Sequence, residues 1–396
     1  MRHNSGTLPV LLLLLSSAQA QTFLVDPGNG PGTSFTTLSA AIAAVPDGAT
    51  LIVRAGNQSG FSVSNKGFTV LCEPGVVLTG PVSISSTGAG QDVTLRGMTW
   101  AAASSGNLLS LQSCVGPVLL DQLLMPPNLN IGNCGAPPFL PPCSWATGIS
   151  AASCPQLHLH ACDVGCTVSL SQCSAIVESC TLSGEDSGAI YWNAGLTQPS
   201  QGRSALNLSQ ATVQVAGNSI LAGGNGNFGS AGAPGGYGIS GLNSVLRVLD
   251  GRIDAPLIGG GAIAVLGNVR ISPRVTFTNS SLVGTDIMPQ LAGTSAPAGG
   301  TLSATTDTEN GDLVILLVGF AGAPTGVAGF QDPFWLSPST YFYAAVGTQT
   351  ATTPVSASLP VPAGPTFVGV RLNWQAACFG PVTGSQASNP VATLVR

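Results

Sequence analysis

Five residues in this chain have the types and the spacing to do chemistry together. A template of apolar–x–apolar–x–x–x–x–apolar recurs, fitting Val93/Leu95/Trp100, Val118/Leu120/Met125, Leu157/Leu159/Val164 and Ala175/Val177/Leu182. The residue after the second apolar position reads Arg96, Asp121, His160 and Glu178 in these four copies, and the residue before it adds His158. If the copies stack in register, strands sit about 4.8 Å apart, and Asp121, His160 and Glu178 come within reach of their neighbours. A carboxylate beside an imidazole favours the imidazolium form and raises its pKa. Such a set could run general acid–base chemistry or hold a metal. It also fits a plainer role, alternating charges that steady an exposed parallel face at about 0.2–1 kcal/mol per pair. The plainer role is preferred, so no catalytic residue, metal or cofactor is assigned. Were the chain an enzyme, His160, Asp121, Glu178 and Arg96 would be the set to examine.

The elements that must position these residues are strands. Apolar and small polar residues alternate with period two, which is strand and not helix periodicity. The template fits again at Val213/Val215/Ile220, Leu246/Val248/Ile253 and Val275/Phe277/Leu282. A small or polar residue follows the outward position each time: Gly97, Gln122, Ala161, Ser179, Gly217, Asp250 and Asn279. That is bend chemistry. Ahead of the template runs a second alternating segment, opened by Leu109, Ile149, Val168, Leu206 and Ile239, which are expected to form one inward column. One copy cannot bury its apolar face alone, whereas several stacked in register can, which defines a solenoid.

The shortest spacing between copies is the 18 residues from Leu157 to Ala175. Elsewhere the surplus collects after the last apolar position, so 126–146, 183–203, 221–236 and 254–261 read as loops inserted at one corner. Inserted loops on a rigid scaffold often carry function. These hold Phe139, Trp145, Tyr191, Trp192 and Phe228. Trp145, Tyr191, Trp192 and Phe228 are candidate ligand-binding residues, since flat rings stack on sugars; the alternative is that they pack the loops onto the scaffold.

Composition narrows the classes. Residues 1–20 read as a secretory signal, with Arg2 and His3, an apolar core at 8–15 and a small-residue site at Ala18-Gln19-Ala20. That core is shorter than the roughly 20 apolar residues a bilayer requires. A secreted or cell-surface protein without membrane insertion is expected. Only 7% of residues are charged and the net charge is −5, with no basic run, which speaks against nucleic acid. Eight of the ten cysteines lie between Cys114 and Cys180, and an exported chain favours disulfides. Cys114, Cys154 and Cys173 share one column, and Cys162 and Cys180 another. These columns are either bridges between copies or ladders of buried thiols. Cys134 and Cys143 make the best single pair. Linear columns do not supply the tetrahedral convergence zinc requires.

The N-terminal order resembles a known family. Phe35-Thr-Thr-Leu-x-x-Ala41-Ile-x-x-Val45-x-x-Gly48-x-x-Leu51-Ile-Val-x-x-Gly56 reads as a short helix, a turn at Asp47-Gly48 and a strand. It looks like the entrance of right-handed parallel β-helices of the pectate-lyase-like superfamily, over about residues 25–284. The resemblance implies an all-β fold: a right-handed parallel β-helix over 21–294 whose small helix caps the open end, where strand edges would otherwise be bare. It also implies that catalytic acids, bases and calcium ligands would project from the first strand of each copy. The matching positions here are Ser83, Ser110, Ser150, Ser169, Asn207 and Ser240. That column lacks the paired carboxylates of a hydrolase, and the basic residue with an acidic calcium cluster of a lyase. The departure points to a non-catalytic exported scaffold binding glycan or another surface component through its corner loops. The alternative is a polysaccharide lyase or glycoside hydrolase with a degenerate or relocated site. From about residue 294 the template stops, and strand-like runs follow at 300–306, 312–320, 340–346, 355–360, 366–374 and 391–395, at sandwich-like spacing. Residues 295–396 resemble a C-terminal β-sandwich module of secreted bacterial proteins, which implies attachment or stabilisation.

Overall fold

The structure, a computed structural model, describes residues 21–101, 108–124, 128–134, 138–140, 144–145, 148–154, 156–186, 202–225, 235–256, 261–364, 367–381 and 384–396. The signal-like segment, Cys143, Tyr191, Trp192 and Phe228 lie outside these residues, and of Phe139 and Trp145 only the backbone is described. The fold is all-β, with long parallel sheets followed by antiparallel ones and a short helix, Leu38–Ala44. Thr37 caps that helix, its Oγ1 accepting from the Ala40 amide at 3.3 Å, and the helix buries Leu38, Ala41 and Ile42. No helix among the described residues is long and apolar enough to cross a membrane.

Strands come in threes. Ile149–Ala152, Leu157–His160 and Asp163–Val164 make one repeat, and Val168–Ser171, Ser174–Glu178 and Thr181–Ser183 make the next. Each strand pairs in parallel with its counterpart: Ile149 with Val168, Leu157 with Ala175, Val164 with Leu182. The inward column is as expected, with Leu109, Ile149, Val168, Leu206 and Ile239 all fully buried. The helix and all these repeats share one apolar core.

Two assignments are corrected. Residues 126–146 are not an inserted loop but contain a full repeat, Asn128–Gly132, Pro138–Leu140 and Ser144–Trp145, so Leu129 stands between Leu109 and Ile149. The strand Pro138–Leu140 consequently separates Val118–Asp121 from Leu157–His160, and Asp121 and His160 lie two strand spacings apart, roughly 9.6 Å. In the last copy, Val275–Thr278 pairs with Gly251–Asp254 and belongs to the third strand series. The partners of Leu246 and Val248 are Val269 and Ile271, in Ile263–Ile271.

The repeats turn on single left-handed residues. Gln122, Ala161, Ser179 and Asn218 stand after the second strand with φ between 51° and 59°, joined by Gly97 and Gly217. An equivalent series stands after the first strand: Ser113, Asn133, Ser153, Gln172, Gln210 and Asn243, with φ between 50° and 53°. Left-handed backbone costs a non-glycine residue roughly 1–2 kcal/mol, so each bend must be held by the packing around it. The cysteines help to hold it. Cys134, Cys154 and Cys173 follow bend residues directly, and each thiol donates to the carbonyl two residues back, at 3.5, 3.4 and 3.1 Å. Cys162 and Cys180 do the same at the other bend, at 3.6 and 3.3 Å. Ser244 takes this position with a hydroxyl, at 2.9 Å. Cys114, Cys134, Cys154, Cys173 and Cys180 are buried free thiols, so the expected bridges are not formed there: the columns are ladders of small buried donors, and Cys134 belongs to the first ladder and not to a bridge.

The antiparallel part has its own core, centred on Val314, Leu316, Trp374, Ala376 and Cys378. Its main sheet contains Phe342–Thr348, Leu313–Gly319, Arg371–Gly380, Gly384–Ala387 and Val391–Leu394. It leans on the outward face of the second strands of the repeats. Ala392 and Leu394 pack on Leu119, and Met288 packs on Ala216 and Leu249. Asp332 bridges two repeats from above, 2.7 Å from Arg247 Nη2 and 2.8 Å from Arg270 Nη1. The second-strand face is therefore covered, not exposed. Burial pushes the Asp332 carboxyl up, against the two guanidinium groups that hold it down.

Candidate functional site

Two faces of the repeats carry polar chemistry. On the covered face, side chains alternate across each strand, so His158 and His160 both point outward from Leu157–His160, and the register sets Glu178 beside His160. His158 Nε2 lies 3.0 Å and His160 Nδ1 3.1 Å from the same carboxylate oxygen, Glu178 Oε2. His158 and Glu178 are buried, whereas His160 keeps 22% of its side chain exposed. Burial pushes the His158 imidazole down to about 4; the Glu178 carboxylate pulls upward, and His160 and Arg371 add repulsion. At His158 desolvation outweighs the pull of the ion pair. Burial alone would raise the Glu178 carboxyl, but hydrogen bonds from both histidines hold it below its ordinary value.

Asp121 and Arg96 are separate from this cluster. They pair with each other, Arg96 Nε lying 3.3 Å from Asp121 Oδ2. Burial raises the Asp121 carboxyl, opposed by Arg96 and by Arg396 of the C-terminal segment. The four-member set read from the sequence is therefore two pairs, one of them extended by His158. Asp121, His158 and Glu178 are buried, while Arg96 and His160 are partly exposed.

The open face is different. Ser83, Ser110, Asn130, Ser150, Ser169, Asn207 and Ser240 form one continuous outward column, each in register with the next. Asn130 is the member that the missed repeat supplies. Ser240 Oγ donates to Asn207 Oδ1 at 3.4 Å. A groove of about 720 Å³ runs over Asn130, Ser150, Ser169, Asn207 and Ser240. Its wall includes Glu185 and Arg203, which meet at 3.4 Å and close the base of the 183–203 insertion. No local spacing announces this pair, because Arg203 stands across a loop from Glu185. Neighbouring Asp186 accepts from the Asn225 amide at 2.6 Å, tying that insertion to the next one.

A second, smaller hollow of about 250 Å³ sits in the antiparallel part, walled by Phe330, Phe334, Tyr341 and Tyr343. Nothing in the strand periodicity signalled it, since its aromatics come from several strands and turns. Of the ligand-binding candidates, Trp145 lies on the short strand Ser144–Trp145 and not in a loop. No protein-family model matches this chain, and no curated protein is detectably similar to it.

Proposed function

We propose that the three parallel ladders are the faces of a right-handed parallel β-helix, capped by Leu38–Ala44 and followed by a β-sandwich. We further propose that the protein is an exported, non-catalytic scaffold that binds a neutral polysaccharide along its first-strand face. The observation that carries this reading is the groove over Asn130, Ser150, Ser169, Asn207 and Ser240. Hydroxyls and amides repeating about every 4.8 Å match a ligand that is itself a repeating row of hydroxyls. The acid and the base in its wall neutralise each other, which favours binding over proton transfer. Localisation outside the cell rests on the signal-like segment 1–20 and is part of the same proposal.

The test is a binding screen of the mature protein against a polysaccharide panel, with turnover assayed in parallel. Binding without product, weakened by Asn207→Ala, supports the scaffold. Release of sugar or of unsaturated product would instead establish a lyase or hydrolase, with Glu185 and Arg203 the first residues to substitute.

A further inference from the structure

The histidine cluster has the geometry of a metal site. Both imidazoles aim a ring nitrogen at one carboxylate oxygen, and the three donor atoms lie within 4.8 Å of one another. Ligands of a tetrahedral zinc ion stand about 2.0–2.2 Å from it, hence roughly 3.4 Å from each other. The nitrogen–oxygen distances of 3.0 and 3.1 Å need to open by only a few tenths of an ångström to admit an ion. We propose that His158, His160 and Glu178 bind one divalent transition-metal ion of the zinc class.

Two imidazole nitrogens and one carboxylate oxygen suit zinc, cobalt or nickel; calcium and magnesium demand six or more oxygens. The partly exposed edge of His160 is the way in, and leaves a fourth position there for water. The other two ligands are sealed where the repeats meet the antiparallel sheets, so the ion is structural and ties adjacent repeats together on the covered face. Arg371 lies near His158, and its charge works against a second cation, which sets the affinity below that of a site with only anionic neighbours. The inference is independent of glycan binding, which concerns the opposite chemistry on another face.

The experiment uses the full mature chain, stripped with chelator and titrated with cobalt(II). The expected result is one equivalent bound, with visible absorption of a four-coordinate nitrogen–oxygen site, displaced by zinc(II). Zinc should also raise the thermal midpoint of the stripped protein. His160→Gln, changed at the partly exposed edge, should weaken cobalt binding at least about tenfold while the circular dichroism spectrum stays that of the parent. No cobalt uptake by the folded protein overturns the site. So does undiminished uptake by His160→Gln. A near-ultraviolet thiolate charge-transfer band would move the ion to the cysteine ladders and equally sink the proposal.

Discussion

The first-strand and second-strand faces arise from the same repeats, yet they resolve polarity in opposite ways. The first-strand face holds uncharged hydroxyls and amides, stays open to water and forms a groove. The second-strand face holds Asp121, His158, Glu178 and Arg247, all buried, each paired with a partner. A charge taken out of water must find a partner or lose its charge, so the covered face commits its ionisable groups to structure. An open face carries no such obligation, and its side chains remain available to a ligand. Charged residues on a repeat are thus a poor guide to the working surface when a second layer of sheets sits on them.

The sharpest way to break this comparison is Asp332→Ala. It strands the buried Arg247 and leaves Arg270 only Asp286, at 3.7 Å, and a loss of about 3–5 kcal/mol is expected, measured by urea denaturation. A loss below 1 kcal/mol would mean that the face is wetter than the geometry indicates. Acid is the next probe, applied to chelator-stripped protein. His158 is held neutral in the fold, so below about pH 6.5 the unfolded chain takes up a proton that the folded chain refuses. Stability should therefore fall as pH drops from about 6.5 towards 4, on the order of 2–3 kcal/mol, and continue to fall as Glu178 is forced to protonate. His158→Gln should flatten the upper part of that curve; an unchanged slope would assign the dependence to another group.

Smaller effects test the bends and the open face. Cys173→Ala removes a thiol donor and should cost about 1 kcal/mol, while Cys173→Ser keeps a donor and should cost less. Equal losses would reduce the ladders to mere packing. Asn207→Ala is expected to leave stability within about 0.5 kcal/mol, because the side chain is exposed, and to lower only glycan binding. A large destabilisation there would show the polar column to be structural as well.

Much of the repeat was legible because inward positions obey a period of two. The five-residue column from Leu109 to Ile239 and the bends at Gly97, Gln122, Ala161, Ser179 and Gly217 all stand where the template put them. The repeat at 128–145 was missed because prolines and cysteines disguised its short second and third strands. A signal was present: Asn133-Cys134 repeats the bend-then-thiol pair of Ser113-Cys114, Ser153-Cys154 and Gln172-Cys173. Asp121 was consequently placed beside His160, when a whole strand intervenes. The covering of the second-strand face was not legible at all. It depends on how Arg371–Gly380 and its neighbours lie against repeats a hundred or more residues earlier, and no local pattern records that.

The single-residue bends have a consequence for how such a chain can change its length. Each repeat is turned by its own left-handed residues, so the unit from Ile149 to Thr167 is a tile whose next copy opens at Val168. Copying or excising one tile would lengthen or shorten the molecule by one strand spacing, about 4.8 Å, while the helix at one end stays undisturbed. The reach of the open face is then a heritable, stepwise quantity: a duplication inside the gene adds one more row of polar groups without redesigning any existing row.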